Sequence, residues 1–274
     1  MIYLYCVTNR VPKLKEIDHF LDSLYFIYDK GIYAVVSKVP AEEFSEENLT
    51  KNLADLEWVK QKAGIHEKII EGIMKYVGVI PFKLATLFNT ENSLKVMLKK
   101  HAQIFKENLH DLRGKEEWGV KIYCDRGKLK EGLVQQDEEI LKIDKEMSLS
   151  LPGKAFILKK KKEDLIKERI NKRISEYTKT CFERLQAQIL ESKINKLLPK
   201  EVTERKDDMI LNSVFLVDKN RVNTFVNMVE DFKIQYADQG LLFDRTGPWP
   251  PYHFCEATTY EASISCLAER GALI

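Results

Sequence analysis

An apolar stripe of Ile166, Ile170, Ile174, Tyr177, Cys181, Leu185, Ile189/Leu190, Ile194 and Leu197/Leu198 keeps a spacing of three or four residues from about Lys159 to Leu198. One helix following that stripe would run roughly 55 Å at about 1.5 Å per residue. That is longer than a small sheet is wide. Such a helix either breaks, with Ser192 as the candidate point, or carries one end past the body it packs on.

The flanking segments say what that body is. Upstream, "EWGVKIYCD" alternates, with Trp118, Val120, Ile122 and Cys124 on one side and Glu117, Lys121 and Tyr123 on the other, the pattern of a half-buried strand. Residues 126–150 are charged and weakly periodic and read as a variable insertion. Downstream come the strand "DMILNSVFLVD", a helix with Val222, Phe225/Val226, Val229, Phe232 and Tyr236 on one face and Gly240 as its stop, and the strand "LLFD". The order β, α, β, α, β fits a modified ferredoxin-like α/β sandwich with an enlarged first helix.

The first half is also mixed. "IYLYCV" is a strand, and "LYFIYDKGIYAVVSKV" is a hairpin turning at Asp29, Lys30 and Gly31. Apolar positions from Leu49 to Val77 keep helical spacing, with Gly64 as the candidate interruption. "YVGVIPFKL" is a strand that Pro81, having no N–H, holds at an edge or bulge. Leu94, Met97/Leu98, His101, Ile104/Phe105, Leu109 and Leu112 then mark a helix running from an Asn89/Thr90 cap to Gly114. At 274 residues the chain favours two domains. The expected fold class is α+β, with an N-terminal α+β domain over 1–115, the ferredoxin-like domain over 116–254 and a tail over 255–274. The tail carries Tyr260, Ile264, Leu267 and Ile274 for packing.

Composition narrows the function classes. With 44 basic and 42 acidic side chains interspersed, no global field recruits nucleic acid or an anionic bilayer. The five cysteines, Cys6, Cys124, Cys181, Cys255 and Cys266, are scattered and form no CxxC, which suits reduced thiols in the cytoplasm. No basic leader and apolar run opens the sequence, and nowhere do 18 uncharged apolar residues run together. Neither export nor a membrane span is expected.

Catalytic signatures are sparse. "HEKII" starts like a zinc-protease helix, but the second histidine required at i+4 is Ile70, so His66 and Glu67 read as structural, the imidazole at a helix–sheet boundary. A metal-dependent hydrolase at His66 and Glu67 is the weaker alternative. His19, His101, His110 and His253 form no ligand spacing, and no serine lies in GxSxG. Walker and GxGxxG sequences are absent, so no nucleotide cofactor is expected. The "KKKK" run from Lys159 to Lys162 could meet phosphates or an acidic protein face, and with a ferredoxin-like sheet it motivates an RNA-binding alternative. Its plainer reading is a solvated helix start balanced by Glu163 and Asp164.

The outlier is "TGPWPPYHF", from Thr246 to Phe254. Each proline fixes φ near −65° and biases its predecessor to extended geometry, so Gly247, Pro248, Trp249, Pro250, Pro251, Tyr252 and Phe254 form a stiff segment with rings in set directions. Either it clamps the edge of the second sheet with Trp249 and Tyr252 buried, or it presents a preorganised partner surface. Trp118, in the "EWGVKIYCD" strand, is a further candidate structural residue.

The ordered set "GIYAVVSKVP", "LEWVKQKAGIHEKIIE", "VIPFKLATLF", "EWGVKIYCD", "SVFLVD" and "TGPWPPYHF" resembles the GvpF/GvpL family of gas vesicle proteins over about residues 2 to 254. The resemblance implies two domains, the first of unusual fold and the second modified ferredoxin-like. It further implies a non-enzymatic accessory or minor structural protein of gas-filled protein shells, with no catalytic residues. Its implied partners are the small hydrophobic major shell protein and other accessory proteins, and its implied place is the gas-facing side of the shell. No small-molecule substrate, nucleic acid or membrane is expected as a partner. After the "VIP" strand the family commonly has an arginine or phenylalanine-glycine, where this chain has Phe82, Lys83, Leu84 and Ala85. The contact candidates are the Trp249–Tyr252 region and the long 160–198 helix.

Overall fold

The computed structural model describes residues 1–12 and 23–255, so the tail with Tyr260, Ile264, Cys266, Leu267 and Ile274 lies outside the described residues, as does His19. Among the described residues, contacts divide the chain into two compact units, Met1–Glu117 with Pro248–Cys255, and Trp118–Gly247.

In the first unit, β1 (Ile2–Thr8), β2 (Leu24–Asp29), β3 (Ile32–Lys38), β4 (Ile80–Pro81) and β5 (Leu87–Phe88) form one sheet. Its order is β2-β3-β1-β4, with β5 also on β1. The β2–β3 hairpin turns on Lys30 at φ +48° and Gly31 at φ +83°, the double left-handed geometry that a tight hairpin demands. All seven residues of β1 are buried, and its register against β3 slips between Leu4 and Cys6, a bulge at Tyr5. Pro81 sits on the two-residue edge strand β4, opposite Cys6.

The helical residues that follow β3 split into α1 (Ala41–Phe44), α2 (Glu46–Asn52) and α3 (Leu56–Met74). The interruption falls at Leu53–Asp55 and not at Gly64, which lies inside α3. Asp55 accepts hydrogen bonds from the Glu57 and Trp58 N–H groups and so starts a new helix, whereas one glycine among good helix formers costs only about 1 kcal/mol. Helix α4 (Glu91–Asp111) opens with a Thr90/Ser93 capping box.

The second unit holds β6 (Lys115–Cys124), α5 (Arg126–Gln136), α6 (Glu138–Ser148), α7 (Pro152–Gln186), β7 (Glu191–Ile194), α8 (Lys200–Thr203), β8 (Asp208–Asp218), α9 (Val222–Tyr236) and β9 (Leu241–Trp249). The sheet order β7-β8-β6-β9, with helices in the β6-to-β7 and β8-to-β9 crossovers, is the ferredoxin-like arrangement. The enlarged first connection is three helices.

Three segments of the second unit differ from what periodicity predicts. The long helix begins at Pro152 and ends at Gln186, about 52 Å by its rise. The chain beyond it forms β7, which pairs with β8 from Glu191↔Leu216 to Ile194↔Ser213, so Ser192 lies in a strand and breaks no helix. Residues 126–148 form α5 and α6, capped by Asp125 and Asp137. They bury Leu129, Leu133, Ile140 and Ile143, and Lys162–Asp144, Arg169–Asp137 and Arg169–Glu139 pairs tie α6 to α7. Finally, β6 is covered on both faces: Glu117 and Tyr123 are 2% and 3% exposed, and the Arg205 guanidinium lies 4.2 Å from the Tyr123 ring centroid.

Candidate functional site

Strand β9 reaches Trp249 although Pro248 lies within it. The strand is at the sheet edge, where a missing N–H breaks no ladder. Gly247 takes φ +120°, a region that side chains avoid, and Pro250 and Pro251 then end the pairing. Both prolines are buried, whereas Gly247 and Pro248 are exposed and Trp249 is 38% exposed. Tyr252 and Phe254 are half-buried. The segment therefore does not clamp the second sheet with a buried Trp249. Its buried end packs within the first unit, with Tyr252 against the core of Tyr3, Tyr5, Cys6, Ile70 and their neighbours.

Two polar anchors hold it there. The Tyr252 hydroxyl donates to Glu67 Oε1 at 2.8 Å. The His253 backbone N–H donates to Glu117 Oε2 at 3.0 Å, and His253 Nδ1 lies 2.6 Å from Glu117 Oε1. Glu67 Oε2 is buried and takes no hydrogen bond among the described residues. Burial raises the Glu67 carboxyl above its ordinary value, and burial beside that carboxylate raises the Tyr252 phenol.

His66, adjacent to Glu67 on α3, is 2% exposed and has both ring nitrogens engaged. The Phe82 carbonyl, 2.9 Å from Nε2, can only accept, so Nε2 carries the proton and Nδ1 accepts from the Tyr3 hydroxyl at 2.9 Å. The Ala85 N–H donates to Tyr3 Oη at 2.9 Å, completing a chain from the β4–β5 loop through β1 to α3. Burial pushes the imidazole down to about 4, so it is neutral at pH 7. With both nitrogens taken, His66 has no lone pair for a metal, and no group of three potential metal ligands exists among the described residues. His66 is thus engaged in the hydrogen-bond chain that joins the β4–β5 loop, β1 and α3.

Around this chain the rings interlock: Tyr3 lies 4.6 Å from Tyr5, 5.6 Å from His66 and, edge-on, 5.8 Å from Phe44. Phe44 lies 5.8 Å from Trp58, and Lys62 Nζ sits over both rings. Trp118 belongs to the other core, 6.5 Å from Phe225 and with the Arg245 guanidinium 5.1 Å from its ring. The Lys159–Lys162 run lies on α7, and its last member is half-buried against Asp144, leaving a shorter exposed charge run than the sequence suggests.

Glu117 and Tyr3 were missed as polar anchors. Period-two alternation assigns Glu117 to the solvent face, and Tyr3 reads only as a strand aromatic. A buried carboxylate facing a His that follows two prolines becomes visible only in three dimensions.

A family model described as "Gas vesicle synthesis protein GvpL/GvpF" matches residues 1–256. Gas vesicle protein L of a Streptomyces species is 27% identical over 232 residues, covering 81% of this chain and 79% of the relative. Gas vesicle protein L1 of Halobacterium salinarum is 22% identical over 261 residues, covering 92% and 89%. The crystal structure of gas vesicle protein GvpF from an Anabaena species is similar with a TM-score of 0.68 at 20% identity, covering 95% of this chain and 99% of that one. GvpF from Microcystis aeruginosa gives 0.65 at 19%, covering 92% and 98%. These two structures carry the fold likeness.

Proposed function

Because the chain belongs to the GvpL/GvpF family of gas vesicle synthesis proteins, whose model spans residues 1–256, we propose that its accessory role is to bind the major gas vesicle shell protein or other accessory proteins while the shell is assembled. The role is non-catalytic. A small apolar shell subunit aggregates unless its apolar surface is covered before assembly, and a folded partner with a stiff aromatic segment can cover it.

The observation that carries this reading is the Pro248–Tyr252 segment. One end is anchored by the Tyr252–Glu67 hydrogen bond and two buried prolines, and the other holds Trp249 38% exposed. Ring and backbone are oriented before any partner arrives, so little entropy is lost on docking. The test is co-purification of the shell protein with the wild-type chain and with Trp249→Ala. Capture lost by a folded Trp249→Ala supports the reading, and unchanged capture counts against the motif. The family resemblance extends the proposal to the gas-facing side of the shell. There the protein in intact vesicles should resist added protease and become sensitive once the shells are collapsed.

A further inference from the structure

The turn between α6 and α7 exposes large apolar side chains that neither helix packs: Leu149 and Leu151 are each 82% exposed, Phe156 72% and Ile157 68%. They fall within nine consecutive positions. Such a concentration is unusual on a surface that faces only water. The backbone beneath it is ordered by local bonds. The Ser150 N–H and hydroxyl bond to the Met147 and Glu146 carbonyls, and Lys154 pairs with Glu146 at 2.8 Å.

The exposed charge on α7 next to these side chains is basic up to Lys161, and Glu163 and Asp164 follow one turn further on. On α7 the positions facing α6 are Leu158, Lys162 and Ile166, with Lys162 paired to Asp144. Phe156 and Ile157 lie on another face together with Lys160, three and four residues on. Lys159 and Lys160 are exposed and make no ion pair among the described residues. Helix α7 begins at Leu151 and Pro152 without a side-chain cap, so its first-turn N–H groups add positive potential at the same end.

We propose that this turn is a docking surface for an amphipathic helix of a partner protein, apolar along one face and flanked by carboxylates. Leu149, Leu151, Phe156 and Ile157 cover the apolar face, and Lys159 and Lys160 meet the acidic flank. The occupant is a helix because the surface is itself helix and turn and offers no strand edge, so the partner must satisfy its own backbone hydrogen bonds. This rests on the partner-binding reading above and places a second contact on the Trp118–Gly247 unit.

The test produces the full-length tagged chain together with the major shell protein and the accessory proteins of the same vesicles. It compares wild type, Phe156→Ser/Ile157→Ser, Lys159→Glu/Lys160→Glu and Trp249→Ala, each checked for a native thermal transition. The apolar double variant should reduce capture at least tenfold. The charge reversal should reduce it several-fold, more at low salt than at high. Wild-type capture by a folded Phe156→Ser/Ile157→Ser overturns this surface and leaves the partner-binding reading intact. Absence of capture by the wild type overturns both. Wild-type binding to phosphatidylglycerol vesicles that the apolar variant loses, with protein capture unchanged, overturns the proposal in favour of a lipid surface.

Discussion

Tyr252 reaches back across 185 positions to donate its hydroxyl hydrogen to Glu67, so the end of the described chain is fastened to a helix formed near its beginning. The bond also satisfies half of a carboxylate whose other oxygen is buried and accepts nothing among the described residues.

Replacing Tyr252 by Phe should leave that carboxylate with neither oxygen paired. Stability should fall by about 1–3 kcal/mol, the cost of an unsatisfied buried acceptor, and Tyr252→Phe in a Glu67→Leu background should cost much less. Denaturant titration of the four proteins measures the coupling. Equal losses in both backgrounds would mean that the bond contributes nothing of its own.

The His66 imidazole sets a pH dependence. In the unfolded chain it titrates near 6.5 and in the fold near 4, so between those values the unfolded state binds one proton more. Stability therefore rises with pH across that window, is fully present above 6.5 and is lost as pH falls towards 4. The whole effect is about 3 kcal/mol. Glu67, raised by burial, contributes with the opposite sign, losing stability as pH rises above its unfolded value. A His66→Gln variant, compared at pH 7 and pH 4.5, should show a smaller acid loss than wild type. A parallel loss would assign the acid sensitivity to other groups.

Ala85 sits at φ +59°, where an ordinary side chain costs about 1–2 kcal/mol, and its N–H must stay aimed at Tyr3 Oη. Ala85→Gly should raise stability by up to about 1 kcal/mol, because relief of strain outweighs the added freedom of the unfolded chain. Ala85→Val should lower it. Thermal melts of both decide the sign, and a stabilised valine variant would contradict the strain.

Gly240 also lies at positive φ, +79°, and a Cβ there would fall 2.8 Å from the Asp125 carbonyl oxygen. Backbone cannot swing aside as a flexible side chain can. Since the Gly240 carbonyl accepts from the Asp125 N–H, the same shift would strain that bond. Gly240→Ala should cost about 2 kcal/mol or more by chemical denaturation. A loss under about 0.5 kcal/mol would mean that the turn relaxes freely.

Much of this architecture is legible in residue periodicity. The Lys30–Gly31 turn, the Thr90 cap and the apolar faces of α4 and α9 each point locally to the element they form. β7 escaped because Ile189, Leu190 and Ile194 continue the α7 spacing, and only pairing with β8 makes them extended. α5 and α6 escaped because each buries just two residues in a charged stretch, so their order comes from α7 and from the Asp125 and Asp137 caps. At the candidate site, the stiffness of Pro248–Pro251 follows from covalent geometry alone. Its destination in the first unit depends on Glu67 and Glu117, which nothing near residue 250 reveals.

The two-part composition of the first unit has a consequence for synthesis. The ribosome delivers residues 1–117 early, but the segment bearing Tyr252 and His253 emerges only after the whole Trp118–Gly247 unit has been made. The usual vectorial order, in which the first-made body finishes first, is therefore reversed. The later-made unit can close while the earlier one still lacks its final wedge. A nascent chain stalled before residue 248 has left the ribosome should thus carry a protease-resistant second unit and a first unit that remains cleavable until translation resumes.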